Sequence, residues 1–505
     1  MNVWKKVLAL MLVLVLALSL AACGSKAKEE PAPTEAPAAE EPAAEEPAEE
    51  PAEEEPAEEP AEEPAEEPAE EPAEEAAEEP AEEPAEETAA AATDDAAPIA
   101  VQNFGSGTLE VRIWDNNQLE GLREIANEWS ELSGVQVNIQ VIDWDNYWTM
   151  LEAGATGGEM PDVFWMHSNN AQLYMENDML LDLTPYIEAS EVTDLSNYLQ
   201  GVTELYSLDG KQYAIPKDHD TIGLLYNEAM FAKYGVDAPT DDWTWDDYYN
   251  AAVAITEAGK DDGVYGVALN TTNDQDGYFN VIYAYGGYVI SEDRKSSGWD
   301  NENTKAAMEY VGKLLADGAT PQATVAENGT DRLFTSGLCA MITQGTWMIR
   351  SFMEQDNAAD YKWAMIPYHD ANGNGQCDEG ERATIYNGLG WSASAKTANA
   401  DAAYSLIEWF GSKAMQLKQS ELGVTLAAYE GCSDAFANAF GDTDISAFIR
   451  MESDATLIFR PYSKYTSRWS TEYQQQLVTA WNDPSQMNAV LDNLASSMNN
   501  WLAQE

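Results

Sequence analysis

The chain has 505 residues and carries 90 Asp plus Glu against 25 Lys plus Arg, a formal net charge of −65. An excess of that sign repels phosphate backbones and anionic surfaces, which excludes nucleic acid as a partner. The remaining composition, 45% apolar with 16 Trp and 24 Tyr, still suffices for sizeable packed cores.

The first element in chain order is a leader over 1–22. Lys5 and Lys6 precede an apolar run from Val7 to Leu20, which closes on Leu20-Ala21-Ala22-Cys23-Gly24. That run is too short for a comfortable membrane span and has the layout of a secretory signal. Small residues before Cys23 resemble the lipobox of bacterial lipoproteins, which makes Cys23 the expected lipidated N-terminus and the lipid the expected membrane anchor. From Cys23 to residue 106 the expectation is a tether, built on a drifting Pro-Ala-Glu-Glu repeat such as Pro60-Ala61-Glu62-Glu63-Pro64. Frequent proline blocks a continuous helix and the glutamates have nothing apolar to bury, so disorder is expected. Fully extended, it reaches on the order of 200 Å. This suits a protein anchored on the outer face of a Gram-positive cell and working through a thick wall.

The expected globular part runs from Gly107 to Glu505 and is long enough for two lobes with separate cores. Strands are predicted at 109–114, 135–142, 162–165, 223–226, 340–342 and 363–366, and helices at 119–132, 402–410 and 484–502. This alternation argues for an α/β class with largely parallel sheets, where ligands sit in a crevice beyond strand ends.

Catalytic signatures are missing from the sequence: no Gly-x-Ser-x-Gly elbow, His-Glu-x-x-His, phosphate loop or dinucleotide fingerprint occurs. The three histidines, His167, His219 and His369, have no metal-ligand spacing. Aromatic and polar groups cluster instead at predicted strand ends: Trp114-Asp115-Asn116-Asn117, Trp165-Met166-His167-Ser168-Asn169, Asp218-His219-Asp220 and Gly345-Thr346-Trp347. Flat aromatic faces with amides and carboxylates in the ring plane are what a sugar ring requires.

Longer segments carry a family resemblance. Gly210-Lys211-Gln212-Tyr213-Ala214-Ile215-Pro216-Lys217-Asp218 through Leu225-Tyr226-Asn227, Trp243-Thr244-Trp245-Asp246-Asp247, Gly337-Leu338-Cys339-Ala340-Met341 with Gly345 and Trp347, and Gly388-Leu389-Gly390-Trp391 resemble the extracellular solute-binding proteins of ABC importers, in the group of maltose- and oligosaccharide-binding proteins. The resemblance spans nearly the whole globular part. It implies a two-lobed periplasmic-binding-protein fold of the type II kind, with lobe 1 at about 107–218 and 366–431 and lobe 2 at about 222–365 and 446–505. It also implies a carbohydrate ligand, importer transmembrane subunits as partners, a monomer, and no catalysis. By position it assigns Asn116, Asn117, Trp165, Ser168 and Asn169 to the first lobe of the site, Asp220 to the hinge, and Asp276, Tyr278, Trp347 and Trp469 to the second lobe. Related maltose binders carry charged residues where this chain has Asn116, Asn117, Ser168 and Asn169, so a different sugar is expected. A surface glycan hydrolase and a wall adhesin are the alternatives.

No cofactor is required by this reading. One further loop has calcium-binding spacing: Asp370, Asn372, Asn374, Gln376, Asp378 and Glu381 fall at positions one, three, five, seven, nine and twelve of an EF-hand-like loop, with Gly375 at six. An ion-free Asn/Gly turn is the other reading. Cys339 is expected as a buried thiol, while Cys377 and Cys432 lie near expected lobe crossings and are candidates to pair.

Overall fold

The computed structural model describes residues 97–441 and 443–505. The leader, Cys23 and the tether up to residue 96 lie outside the described residues. The tether's expected end at 106 is corrected: Ile99, Val101 and Phe104 pack against the first core, and the Phe104 N–H donates to the Ser133 carbonyl at 2.8 Å. Three apolar side chains give this stretch what the glutamate repeat lacks, surface to bury.

β1 (Gly107–Ile113) pairs in parallel with β2 (Val135–Val141) and with β3 (Val163–Met166). Between β1 and β2 runs the helix Leu119–Ser133, which buries Leu122, Ile125, Ala126 and Trp129. It ends where Gly134 takes φ 76°, the left-handed cap that glycine adopts without a Cβ clash. A short antiparallel ribbon follows, β4 (Ser207–Leu208) with β5 (Lys211–Gln212). β6 (Ile215–Pro216) and β12 (Gly390–Ala393) complete the first sheet in the order β2-β1-β3-β12-β6.

The second sheet joins β7 (Ile222–Asn227), β8 (Tyr265–Val267), β9 (Cys339–Gly345) and β10 (Tyr361–Met365) in the order β10-β7-β9-β8. A third, two-stranded sheet pairs β11 (Ala383–Tyr386) in parallel with β13 (Thr456–Phe459). The class is α/β, as the periodicity predicts, but the sheets are mixed rather than largely parallel. β12 is antiparallel to β3 and β6, and β7 is antiparallel to both β9 and β10. The physical reason is the crossing chain: a strand that arrives from the opposite sheet enters from the end at which resident strands leave.

Among the described residues, three crossings link the two lobes. The first is residues 217–221, between β6 and β7; the second lies between β10 and β12 and contains β11. The third follows the helix Lys413–Glu421, whose Ala414 and Met415 belong to the first core, and precedes the helix Ser446–Asp454, whose Phe448 and Met451 belong to the second. Ile366, Ala383, Ile385 and Leu426 also pack into the second core. The lobe 1 segment expected from 366 therefore joins its own sheet only at β12. Cys339, Cys377 and Cys432 are all free thiols, so Cys377 and Cys432 are not bridged. No helix among the described residues is long and apolar enough to cross a membrane.

Candidate functional site

A cavity of about 600 Å³ opens between the two sheets. Strand direction explains its lining. β1, β3 and β6 run toward it and deliver Trp114, His167 and Asp218 just past their ends, while β12 leaves it and places Leu389 just before its start. From the second sheet, β9 ends at Gly345 and delivers Trp347 and Met348, and the loop after β8 delivers Thr272, Asn273 and Gln275.

The wall on the first sheet is aromatic. Trp114 meets Trp144 edge to face at a centroid distance of 5.1 Å, and Trp144 meets His167 at 5.3 Å. Trp144 opens the helix Trp144–Gly157, capped by Asp143, whose side chain accepts the Asn146 N–H. It remains 41% exposed. His167 in turn caps the helix Ser168–Glu176: Nδ1 accepts the Asn169 N–H at 3.1 Å, and the Asn387 amide lies 3.1 Å from Nε2. Burial, followed by the Arg460 charge, holds the His167 pKa well below the usual imidazole value, so it lines the cavity uncharged at neutral pH.

A chain of hydrogen bonds underlies this wall. Asp115 Oδ2 accepts from Gln118 Nε2 at 3.1 Å, and Gln118 Oε1 accepts from Lys217 Nζ at 2.8 Å. Lys217 also pairs with Asp218 Oδ2 at 2.5 Å, while Asp218 Oδ1 takes the Leu389 N–H at 2.7 Å. Lys217 is fully buried, with its ammonium 4.5 Å from the centre of the Trp165 ring. Nearby, Asp220 receives Thr346 Oγ1 on Oδ1 at 3.3 Å. Burial and the neighbouring Asp218 push the Asp220 carboxyl up to about 7, against the opposing pull of His219, Lys217 and Thr346. Burial likewise raises the Asp115 pKa.

Arg460 spans the cavity. Its Nε donates to Asn169 Oδ1 at 2.5 Å, Nη1 donates to Gln275 Oε1 at 2.9 Å, and Nη2 pairs with Asp274.

Of the residues assigned from sequence, the structure brings Asn169, Asp220 and Trp347 into the cavity lining. The others lie elsewhere. Trp165, expected as a stacking platform, is 0% exposed and packs edge-on against Trp114 and Trp391 beneath Lys217. Ser168 is buried and donates to Asn387 Oδ1 at 2.8 Å. Asp276 accepts the Asn270 amide inside the second lobe, and Tyr278 stands in that lobe's core. Trp469 is 2% exposed and donates its indole N–H to Ser463 Oγ. Asn116 is exposed and Asn117 half-buried, and neither lines the cavity. Sequence reasoning did not single out Trp144, Gln118, Gln275 or Arg460.

In the 370–381 loop Asp370 accepts the Asn374 and Gly375 N–H groups, and Glu381 accepts those of Ala371 and Asp378. The Asn372 and Asn374 amides both donate to Asp378 Oδ2. Among the described residues no three His, Cys, Asp or Glu side chains are grouped to hold a metal ion.

Residues 115–417, more than half of the chain, match the family of bacterial extracellular solute-binding proteins. The chain belongs to that family. Similar relatives include the lactose-binding protein of Rhizobium radiobacter, 23% identical over 357 residues, 68% of this chain and 81% of that protein. The maltotriose-binding protein of Pyrococcus abyssi is 24% identical over 331 residues, 64% of this chain and 66% of that one. Among solved structures, an ABC substrate-binding protein of Listeria monocytogenes in complex with cycloalternan superposes with a TM-score of 0.69 at 22% identity, covering 79% of this chain and 99% of that one. The two-lobed solute-binding fold is thus shared, with this solute-binding protein's cavity at the cleft between lobes.

Proposed function

We propose that this solute-binding protein is the carbohydrate receptor of an ABC importer. It captures an oligosaccharide between its lobes and presents the closed form to the membrane subunits. The observation that carries the reading is the cleft itself: Trp114 and Trp144 on one side and Trp347 on the other, with amides and carboxyls between them. Aromatic faces suit the apolar C–H faces of sugar rings and the polar groups suit their hydroxyls. Relatives named for lactose, galactooligosaccharide and maltotriose support the class. A ligand touching both walls favours closure because only differential affinity for the two states shifts their balance.

In this reading the receptor acts as a monomer, without catalysis, and is held outside the membrane by lipid on Cys23, with the acidic tether as its reach. For the 370–381 loop the spacing of Asp370, Asn372, Asn374, Asp378 and Glu381 supports calcium, with their hard oxygen donors, while the bonds within the loop support the ion-free Asn/Gly turn. A calorimetric panel of mono- and oligosaccharides tests the function. Micromolar or tighter binding of a sugar without reducing-sugar release supports the receptor. Reducing-sugar release points to the hydrolase, and failure of every sugar to bind refutes the carbohydrate reading.

A further inference from the structure

The charges lining the cleft do not balance. Three carboxyls face the cavity, Asp115, Asp218 and Asp220, against one guanidinium, Arg460. Both nearby cations already have partners: Lys217 pairs with Asp218 and bonds Gln118, while Arg460 pairs with Asp274 and bonds Asn169 and Gln275. Two carboxyls remain without an ion pair among the described residues. Asp115 has both oxygens occupied, by the Asn117 N–H and the Gln118 amide. Asp220 does not. It is only 7% exposed, one long bond from Thr346 reaches Oδ1, and no protein donor among the described residues reaches Oδ2.

A buried carboxylate with a free oxygen in a ligand cavity calls for a donor from the ligand. A hydroxyl supplies a hydrogen bond to the carboxylate but leaves its charge uncompensated; a protonated amine supplies the bond and the opposite charge together. The faces of Trp114, Trp144 and Trp347 add attraction for a cation that a neutral sugar does not engage. Resting on the carbohydrate reading above, we infer that the cleft selects a saccharide bearing a free protonated amine, seated on Asp220 Oδ2. Anionic sugars are disfavoured by the same groups.

The ionisation of Asp220 provides an independent readout. Facing it are Lys217, Asp218 and His219 on its own segment, Tyr206, Tyr386 on β11, and Thr346 from the other lobe. An ammonium beside a carboxyl that titrates near 7 lowers that pKa, so binding at pH 7 releases more protons from Asp220 than the already largely protonated sugar amine takes up. A neutral sugar adds burial without charge and produces no such release.

The test uses the full-length protein and two matched series, gluco- and galacto-configured mono- and disaccharides carrying amino, hydroxyl or acetamido groups at C2. Calorimetry at pH 7 in buffers of differing ionisation enthalpy gives affinity and proton count together. The expected result is an amino member that binds at least tenfold tighter than its hydroxyl counterpart and releases protons. In Asp220→Asn the amino-to-hydroxyl affinity ratio should fall to near one. Because proton release is read on the native protein, the test stands even where the variant folds poorly. Equal or tighter binding of the neutral member, or binding without proton release, overturns the amine inference and leaves the carbohydrate reading intact. So does failure of both series where the wider panel finds a neutral ligand; failure of every sugar in both panels overturns both.

Discussion

Replacing Trp347 by Ala separates a ligand platform from a packing residue. Trp347 lies in the one-turn helix Thr346–Met348 directly after β9, and its ring folds back over Gly345, where a Cβ would lie 1.8 Å from ring carbon Cζ3. One face lines the cavity while the rest packs on the rim of the second core. Truncating a central aromatic anchor typically costs 2 kcal/mol or more of binding, about thirtyfold in affinity. Full burial of such a ring is worth ~3–5 kcal/mol of folding stability, and a half-buried ring about half of that. Trp347→Ala is therefore expected to raise Kd at least about thirtyfold with a stability loss of ~2 kcal/mol. Trp165→Ala, from a fully buried ring, is expected to lose the larger ~3–5 kcal/mol. Calorimetric Kd and urea unfolding on both variants decide it. A folded Trp347→Ala with unaltered affinity, or one destabilised as much as Trp165→Ala, refutes the platform assignment. Gly345→Ala should weaken binding as well, because the added methyl displaces the ring.

Cys23→Ser is expected to leave the domain folded and move it from the membrane to the soluble fraction; retention with the lipid would refute the anchor. If the 370–381 loop takes calcium only in the native state, calcium at 100 times its Kd should add ~2.7 kcal/mol, and an unchanged Tm on chelation would remove the ion from the account. His219 gives a pH signature. Burial pulls its pKa down, but the 2.7 Å bond to Glu452 and the charges of Asp220 and Asp218 outweigh this and leave it raised. A raised folded-state pKa means that the pair stabilises fully below the unfolded value near ~6.5 and ceases to do so as pH rises through the folded value. Thermal unfolding between about pH 6 and 9 should show that decline in the native chain and a weaker one in Glu452→Gln; matching profiles would count against the pair.

The sheets were legible in the sequence because apolar runs bounded by polar turns mark strands; Asn169, Asp220 and Trp347, which line the cavity, stand in clusters noted at predicted strand ends and were assigned by position from the family resemblance. At β3 the assignment failed by two residues. All four β3 side chains are buried, with Val163 and Trp165 in one core cluster and Phe164 and Met166 in the other. A strand buried on both faces shows no alternation of polarity, so nothing in its sequence said that Trp165 stops short of the cleft while His167 reaches it. Trp144 was missed with its whole helix, although Asp143 before it and Gly158 after it are recognisable caps. Arg460 had no comparable signal. Its position depends on the pairing of β13 with β11, a partner some 70 residues distant in the chain.

That pairing also constrains how the clamp can move. Side chains alternate across a strand, and in this ribbon the alternation divides them between lobes: Ala383, Ile385 and Ile458 pack with the second core, Tyr386 and Leu457 with the first-lobe cluster beside β3. Phe459 lies so close to Gly201 that a Cβ there would fall 1.8 Å from its ring. A ribbon anchored in both cores resists sliding, since a one-residue slip would exchange the two sets of side chains. Rotation about the ribbon preserves both sets, provided the 217–221 segment and the 422–445 segment absorb the change in backbone angle. Arg460 leaves the end of this ribbon and already bonds Asn169 on one lobe and Gln275 on the other. It therefore stands where a small rotation changes the distance between its two partners.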